Sequence, residues 1–277
     1  TAFGTCPNSP DTVVIMVDSL PTISLAGANQ IICSPTTTLS ANAPIVGIGT
    51  WSVIVGGSSV TTPTLNNSGV TTLATGNNIF EWTIINGVCP ASTSTVSVFV
   101  DSYPTTSNAG IDFTICASTS TLNSNIPAIG NGIWSVITGG SSVTTPTLNT
   151  SHVTGLTTGT NSLVWTTSNG TCASSMDTLN IIVDAFASAV SAGPDQAFCL
   201  TSTSANLNAS IPAIGIATWS VMAGGGTLSN PNSNTSTISG LGVGSNLLVW
   251  TNTNGVCPVT SDTVDIVLLM FPTVATA

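Results

Sequence analysis

Ten acids, one histidine and seven cysteines are the side chains here whose types could carry chemistry. The acids recur at fixed places. Asp18, Asp101 and Asp184 end one segment of a repeating pattern. Asp112 and Asp195, with Asn29 in the matching position, sit in an Ala-Gly-x-Asp turn. Asp11, Asp177 and Asp262 open the last segment of each copy. Paired carboxylates would suit glycoside hydrolysis, but each copy has only two or three acids, and they fall in turns and at strand ends. Interdomain calcium is the alternative. Asp101 and Asp112 bracket one linker, Asp184 and Asp195 the next, and calcium takes roughly six to eight oxygens with several carboxylates among them. These four are the metal candidates; no other cofactor is expected. His152 has no counterpart in the other copies, where Gly69 or a Ser/Thr-rich stretch stands instead. A single unmatched histidine cannot serve several like domains, so it reads as a surface loop residue. No Ser–His or Cys–His nucleophile is expected and the chain reads as non-enzymatic.

The cysteines set a register. Cys33, Cys116 and Cys199 are spaced by 83 residues, as are Cys89 and Cys172, and Cys257 lies 85 further on. Cys6 then falls where the second cysteine of a preceding copy belongs, with its partner upstream. Two origins fit that half copy: a piece of a longer array, or a segment around Thr12 to Val17 donated as a strand to a neighbouring subunit. The spacing predicts one disulfide within each copy, Cys33–Cys89, Cys116–Cys172 and Cys199–Cys257, clipping one pole of the domain. Each would close a loop of over 50 residues, worth about 4 kcal/mol in the chain-entropy model. Free buried thiols are the alternative. One cysteine pair offers too few ligands for zinc. Disulfides imply an oxidising, extracellular setting.

The elements that position these residues follow from the repeat. WSVIVGGSSVTTPTLN, Trp51 to Asn66, returns at Trp134 to Asn149 with only Val55 changed, to Thr138, and more loosely from Trp219. Each copy reads as about seven short strands with regularly spaced turns and no helical period. Its Gly-Gly pair suggests a bulge or a sharp bend, and Asn-Gly gives a hairpin signal between the last two strands. The expected fold is all-β: tandem Ig-like antiparallel β-sandwiches. The expected division is 1–20, the closing part of one repeat, then Ig-like repeats at 21–103, 104–186 and 187–277.

The chain has no Lys and no Arg and a net charge of −10, which removes nucleic acid and anionic membrane surfaces as partners. It also removes Lys–Asn isopeptide cross-links. The longest apolar stretch, Ile266 to Phe271, is far short of the ~20 residues of a membrane span. No secretory leader is legible at the start. Two tryptophan series, Trp51, Trp134, Trp219 and Trp82, Trp165, Trp250, lie within strands and read as core; exposed, they would suit sugar binding. Sequons begin at Asn66, Asn149, Asn169, Asn208 and Asn234.

The succession AGPDQ (Ala192 to Gln196, AGANQ in the first copy), a Trp-Ser-Val strand with Gly-Gly, V-T-x-L, a strand ending W-T before Gly and Cys, and D-T-V resembles the Ig-like/PKD-like repeats of giant Bacteroidota surface proteins, the gliding-motility adhesins of the SprB type. The resemblance implies type IX secretion, display on the bacterial cell surface, and O-glycosylation at Asp-Ser/Thr-apolar sites, here Thr12, Ser19, Thr178 and Thr263. Three functions follow as expectations. The first is a stalk or filament segment of a large adhesin, each domain adding roughly 35–40 Å if strands of about ten residues lie along its axis. The second is a self-assembling fibre or sheath subunit. The third is a carbohydrate-binding module. The expected partners are neighbouring repeats of the same long chain, other copies of the chain, and surface polysaccharide.

Overall fold

The computed structural model describes Gly4, residues 10–200 and residues 202–271. Among these there are strands and no helix. The first repeat has seven: β1 (Gln30–Ile32), β2 (Thr37–Thr38), β3 (Ile48–Val55), β4 (Ser59–Val60), β5 (Gly69–Thr71), β6 (Gly76–Ile85) and β7 (Ser92–Val100). The second repeats the series as β8 (Phe113–Ile115), β9 (Thr119–Thr121), β10 (Asn131–Val136), β11 (Ser142–Val143), β12 (His152–Thr154), β13 (Gly159–Ser168) and β14 (Ser175–Val183). The third has β15 (Gln196–Cys199), β16 (Ser204–Asn206), β17 (Ile216–Ala223), β18 (Thr227–Leu228), β19 (Thr237–Ser239), β20 (Gly244–Thr253) and β21 (Thr260–Leu269). The described residues group into two compact units. One holds those up to Thr105 with Ala128–Asn131 and Ser168–Ser174; the other holds Thr106–Pro127, Gly132–Thr167 and everything from Ser175.

Each repeat is an Ig-like sandwich of a four-stranded and a three-stranded sheet. In the first unit the orders are β1-β7-β6-β3 and β2-β5-β4; in the second they are β8-β14-β13-β10 with β9-β12-β11, and β15-β21-β20-β17 with β16-β19-β18. Period-two alternation drives this pairing. Along β6, Asn78, Phe80, Trp82 and Ile84 point inward and are fully buried, and along β7 Val96, Val98 and Val100 do the same. Leu39 and Val70 close the core from the other sheet. The second and third repeats fill the same places with Leu163, Trp165, Leu179 and Ile181, and with Leu248, Trp250, Val264 and Ile266. The two tryptophans of each repeat pack tilted, with ring centroids 5.1, 5.3 and 5.0 Å apart. Such a pair adds roughly 0.5–1.5 kcal/mol beyond burial. The bulge expected before Gly-Gly is present between Val53 and Val55 and between Val221 and Ala223.

One pairing departs from the antiparallel pattern. The first strand of each repeat runs parallel to the last: β1 beside β7, β8 beside β14 and β15 beside β21. The chain therefore enters a repeat at the pole where the last strand begins and leaves at the opposite pole. Ser24 marks the entry, its amide donating to the Oγ of Ser92 at the start of β7. Asp101 marks the exit, its amide donating to the carbonyl of Ile32 at the end of β1.

The segment around Thr12 to Val17, read as a strand, is unpaired and exposed, with Val13 77% and Val17 90% accessible.

Candidate functional site

Cysteines, an aspartate and an Asn-Gly turn come together where one repeat meets the next. In the first unit β1 and β7 end side by side at Ile32 and Val100, which places Cys33 and Asp101 at the exit pole. The Asp101 carboxylate turns to the following repeat and accepts from the amide of Thr171 (2.6 Å) and from its hydroxyl (2.9 Å). The side-chain amide of Asn169 donates to the carbonyl of Ser102 at 2.7 Å. Cys33 and Cys172 are bonded, with Cα atoms 5.0 Å apart. The second unit repeats the assembly. Asp184 accepts from the amide of Val256 (2.8 Å), Asn254 donates to the carbonyl of Ala185 (2.7 Å), and Cys116 is bonded to Cys257. Gly170 and Gly255 sit in the left-handed region at φ +50° and +53°, and a Cβ on either would lie 2.1 or 1.7 Å from the aspartate Oδ2. The glycine is thus required both by its backbone and by the carboxylate against it.

These bridges correct the expected ones. Cys33–Cys89, Cys116–Cys172 and Cys199–Cys257 do not form; the first cysteine of one repeat bonds the second cysteine of the next. The parallel pairing is the cause. Cys33 follows β1 at the exit pole, whereas Cys89 precedes β7 at the entry pole. The nine residues of β7 hold them roughly 30 Å apart, against the ~7 Å limit for bridged Cα atoms. Cys89 is partly buried and unbridged, Cys199 ends β15 exposed, and Cys6 lies outside the described residues.

The four calcium candidates do not converge. Asp101 and Asp184 serve the junctions. Asp112 accepts from the amide (2.8 Å) and side chain (3.0 Å) of Asn180, and Asp195 accepts from the amide of Asp265 (2.8 Å). Both pin the Ala-Gly-x-Asp turn to the last strand, as Asn29 does through Ser97. Asp177 and Asp262 accept from the amides of Ala109 and Ala192 in the same turn. Among the described residues no three His, Cys, Asp or Glu side chains group as for a metal. The Asn180 amide holds the Asp112 carboxyl below its usual range, and the Ala192 amide does the same for Asp262.

His152, expected in a loop, lies exposed on β12, its Nδ1 3.2 Å from Thr121 Oγ1. All six tryptophans are buried at 3% exposure or less, so none is available to stack on a sugar. The Nδ2 atoms of Asn66, Asn149 and Asn234, which a glycan would take, donate to the carbonyls of Ala41, Ser124 and Ala209; Asn169 is engaged at the junction, and Asn208 is exposed. Thr12, Ser19, Thr178 and Thr263 are all exposed.

Sequence reasoning passed over one buried series. Asn78, Asn161 and Asn246 are fully buried, and the two N–H groups of each Nδ2 are shared among three backbone carbonyls within hydrogen-bonding distance. Their signal was recurrence four residues before Trp82, Trp165 and Trp250.

No family model matches the chain, and no curated protein matches it. Among solved structures it is similar to the PKD domain from the KIAA 1837 protein (24% identity, TM-score 0.28, covering 34% of this chain and 98% of that one). It is also similar to Drosophila OTK extracellular domains 3–5 (10%, TM-score 0.43, 90% and 96%) and mouse Cadherin-23 EC22-24 (12%, TM-score 0.37, 91% and 99%).

Proposed function

We propose that this chain is a non-enzymatic extracellular spacer, a stalk or filament segment of a large surface adhesin built from Ig-like repeats at 21–103, 104–186 and 187–277. The observation that carries the reading is the parallel pairing of first and last strands, because entry and exit at opposite poles let repetition add length. Disulfides at the repeat junctions suit an oxidising exterior. No helix among the described residues is long and apolar enough to cross a membrane. The gliding or attachment role, type IX export and bacterial surface display belong to this reading through the resemblance of the repeats. So does O-linked sugar on the exposed hydroxyls of Thr12, Ser19, Thr178 and Thr263.

A second reading, a self-assembling fibre, is favoured by the exposed apolar run Val13 to Val17. Electron microscopy of native material separates the two. Separate threads one chain wide are expected; regular filaments with fixed contacts between subunits would replace the stalk with the fibre.

A further inference from the structure

The same cleft is built twice, once at each bridged junction. At the exit pole of the first repeat a cavity of about 470 Å³ is lined by Leu73, Thr75, Val100, Asp101 and Tyr103 among others. At the exit pole of the second a cavity of about 490 Å³ is lined by the counterparts Leu156, Thr158, Val183, Asp184 and Phe186. Each cleft lies within one compact unit. The repeat spacing of 83 residues carries every one of these positions from the first cleft to the second.

Three kinds of surface meet there. Leu73 and Val100 give an aliphatic lining, as do Leu156 and Val183. Asp101 Oδ2 takes the amide and hydroxyl of Thr171, and Asp184 Oδ2 takes the amide of Val256, while among the described residues nothing donates to either Oδ1. An exposed aromatic ring completes the lining: Tyr103 is 65% accessible and Phe186 63%. The Tyr103 hydroxyl donates to the carbonyl of Cys33 at 3.4 Å, which holds that ring beside the cleft. Charge then selects the occupant. An anion is repelled by a net charge of −10. A neutral apolar group would strip water from a carboxylate oxygen and return no partner. An organic cation suits all three surfaces: its aliphatic stem covers the leucine and valine, and its charge meets the open oxygen and the ring face. Lysine fits better than arginine, because the guanidinium fork pairs with two carboxylate oxygens and one is already taken. This chain has no Lys and no Arg, so neither it nor a second copy can supply that side chain.

We propose that each of these clefts holds a lysine side chain of a separate, basic protein. In the first the stem lies on Leu73 and Val100, the ammonium meets Asp101 Oδ1, and the Tyr103 ring faces the charge; Leu156, Val183, Asp184 and Phe186 do the same in the second. The inference goes beyond the spacer reading and stands on the junction geometry and the charge of the chain alone. One contact of this kind is weak, because the carboxylate is only half-buried, and salt screens it. The repeat makes up for that: a partner that presents several lysines is held at more than one junction, and linked contacts gain from effective concentration.

Tyr103 is the only tyrosine in the chain, so ring-labelled tyrosine gives a nuclear magnetic resonance signal that reports the first cleft alone. The full chain is titrated at low salt with tetralysine, and with tetralysine acetylated on every amine. Tetralysine is expected to shift the ring signal saturably and to show Overhauser contacts between the ring and lysine methylene protons. The acetylated peptide is expected to bind at least about tenfold more weakly. Asp101→Asn, which keeps an oxygen for Thr171, is expected to weaken tetralysine binding at least about fivefold, and Glu81→Gln, the same change of charge on the outer face of β6, less than about twofold. The comparison of the two peptides on the unaltered chain decides even where Asp101→Asn disturbs the junction. Equal binding of both peptides would overturn the proposal, as would equal losses in the two variants, which mark general attraction to an acidic chain. A saturable shift with spermidine and none with tetralysine would also overturn it, in favour of a small polyamine. Each of these outcomes leaves the spacer reading standing.

Discussion

A buried side-chain amide with three carbonyl acceptors is expensive to remove, because the carbonyls lose a partner that water cannot replace. Asn161 holds the carbonyls of Thr157, Gly159 and Ile181 and accepts from the amide of Thr157, so it fixes the turn into β13. Asn161→Ala is expected to cost about 2–4 kcal/mol, lowering the melting temperature of that repeat by roughly 10–20 °C; thermal denaturation followed by near-ultraviolet circular dichroism reads it. A loss below about 0.5 kcal/mol would mean the loop repacks without the amide. The residue was hidden in the sequence because an asparagine near Gly signals a turn, and nothing local says that this one points into the core. The tryptophans were legible, since hydrophobic alternation fixes their face.

The strand inventory was legible from periodicity and turn chemistry, down to the bulge before Gly-Gly. The partner of the first strand was not. Three residues such as Gln30–Ile32 pair either way without changing their pattern, and direction alone decides which pole receives Cys33. With the strand parallel, each bridge spans two repeats, closing a loop of 139 or 141 residues. The chain-entropy model gives about 5 kcal/mol for loops of that size. The bridge clips no single core, so its loss should be local. Cys257→Ser is expected to leave the near-ultraviolet tryptophan signal intact while deuterium uptake at the backbone amides of Val256 and of position 257 rises at least about tenfold. Collapse of the third repeat's core would show that the bridge is needed for that domain to fold.

Across the chain the acids face no Lys or Arg, and seven of the ten, Asp18, Asp101, Asp112, Asp177, Asp184, Asp195 and Asp262, are held by backbone amides instead. Asp112 and Asp262 titrate below the ordinary 3.8 in the folded protein. A carboxyl depressed by folding contributes stability that is fully present above its unfolded value and lost as pH falls through the folded one. Stability is therefore expected to hold level from neutral pH down to about pH 4 and to fall below it. Equilibrium unfolding in urea at stepped pH checks this; a gain in stability on acidification would mean that self-repulsion among the acids dominates. The staggered bridges have one more consequence, for what happens when the chain is pulled from both ends. Cys33 is bonded to Cys172 and Cys116 to Cys257, so the shortest covalent path from Cys33 to Cys257 crosses both bridges and runs only through the backbone between Cys116 and Cys172. Fully unravelled, that path is roughly 190 Å long, where the unbridged chain would pay out roughly 760 Å. Tension can unfold these repeats, but the oxidised chain limits how far they stretch and keeps their strands close enough to refold when it slackens.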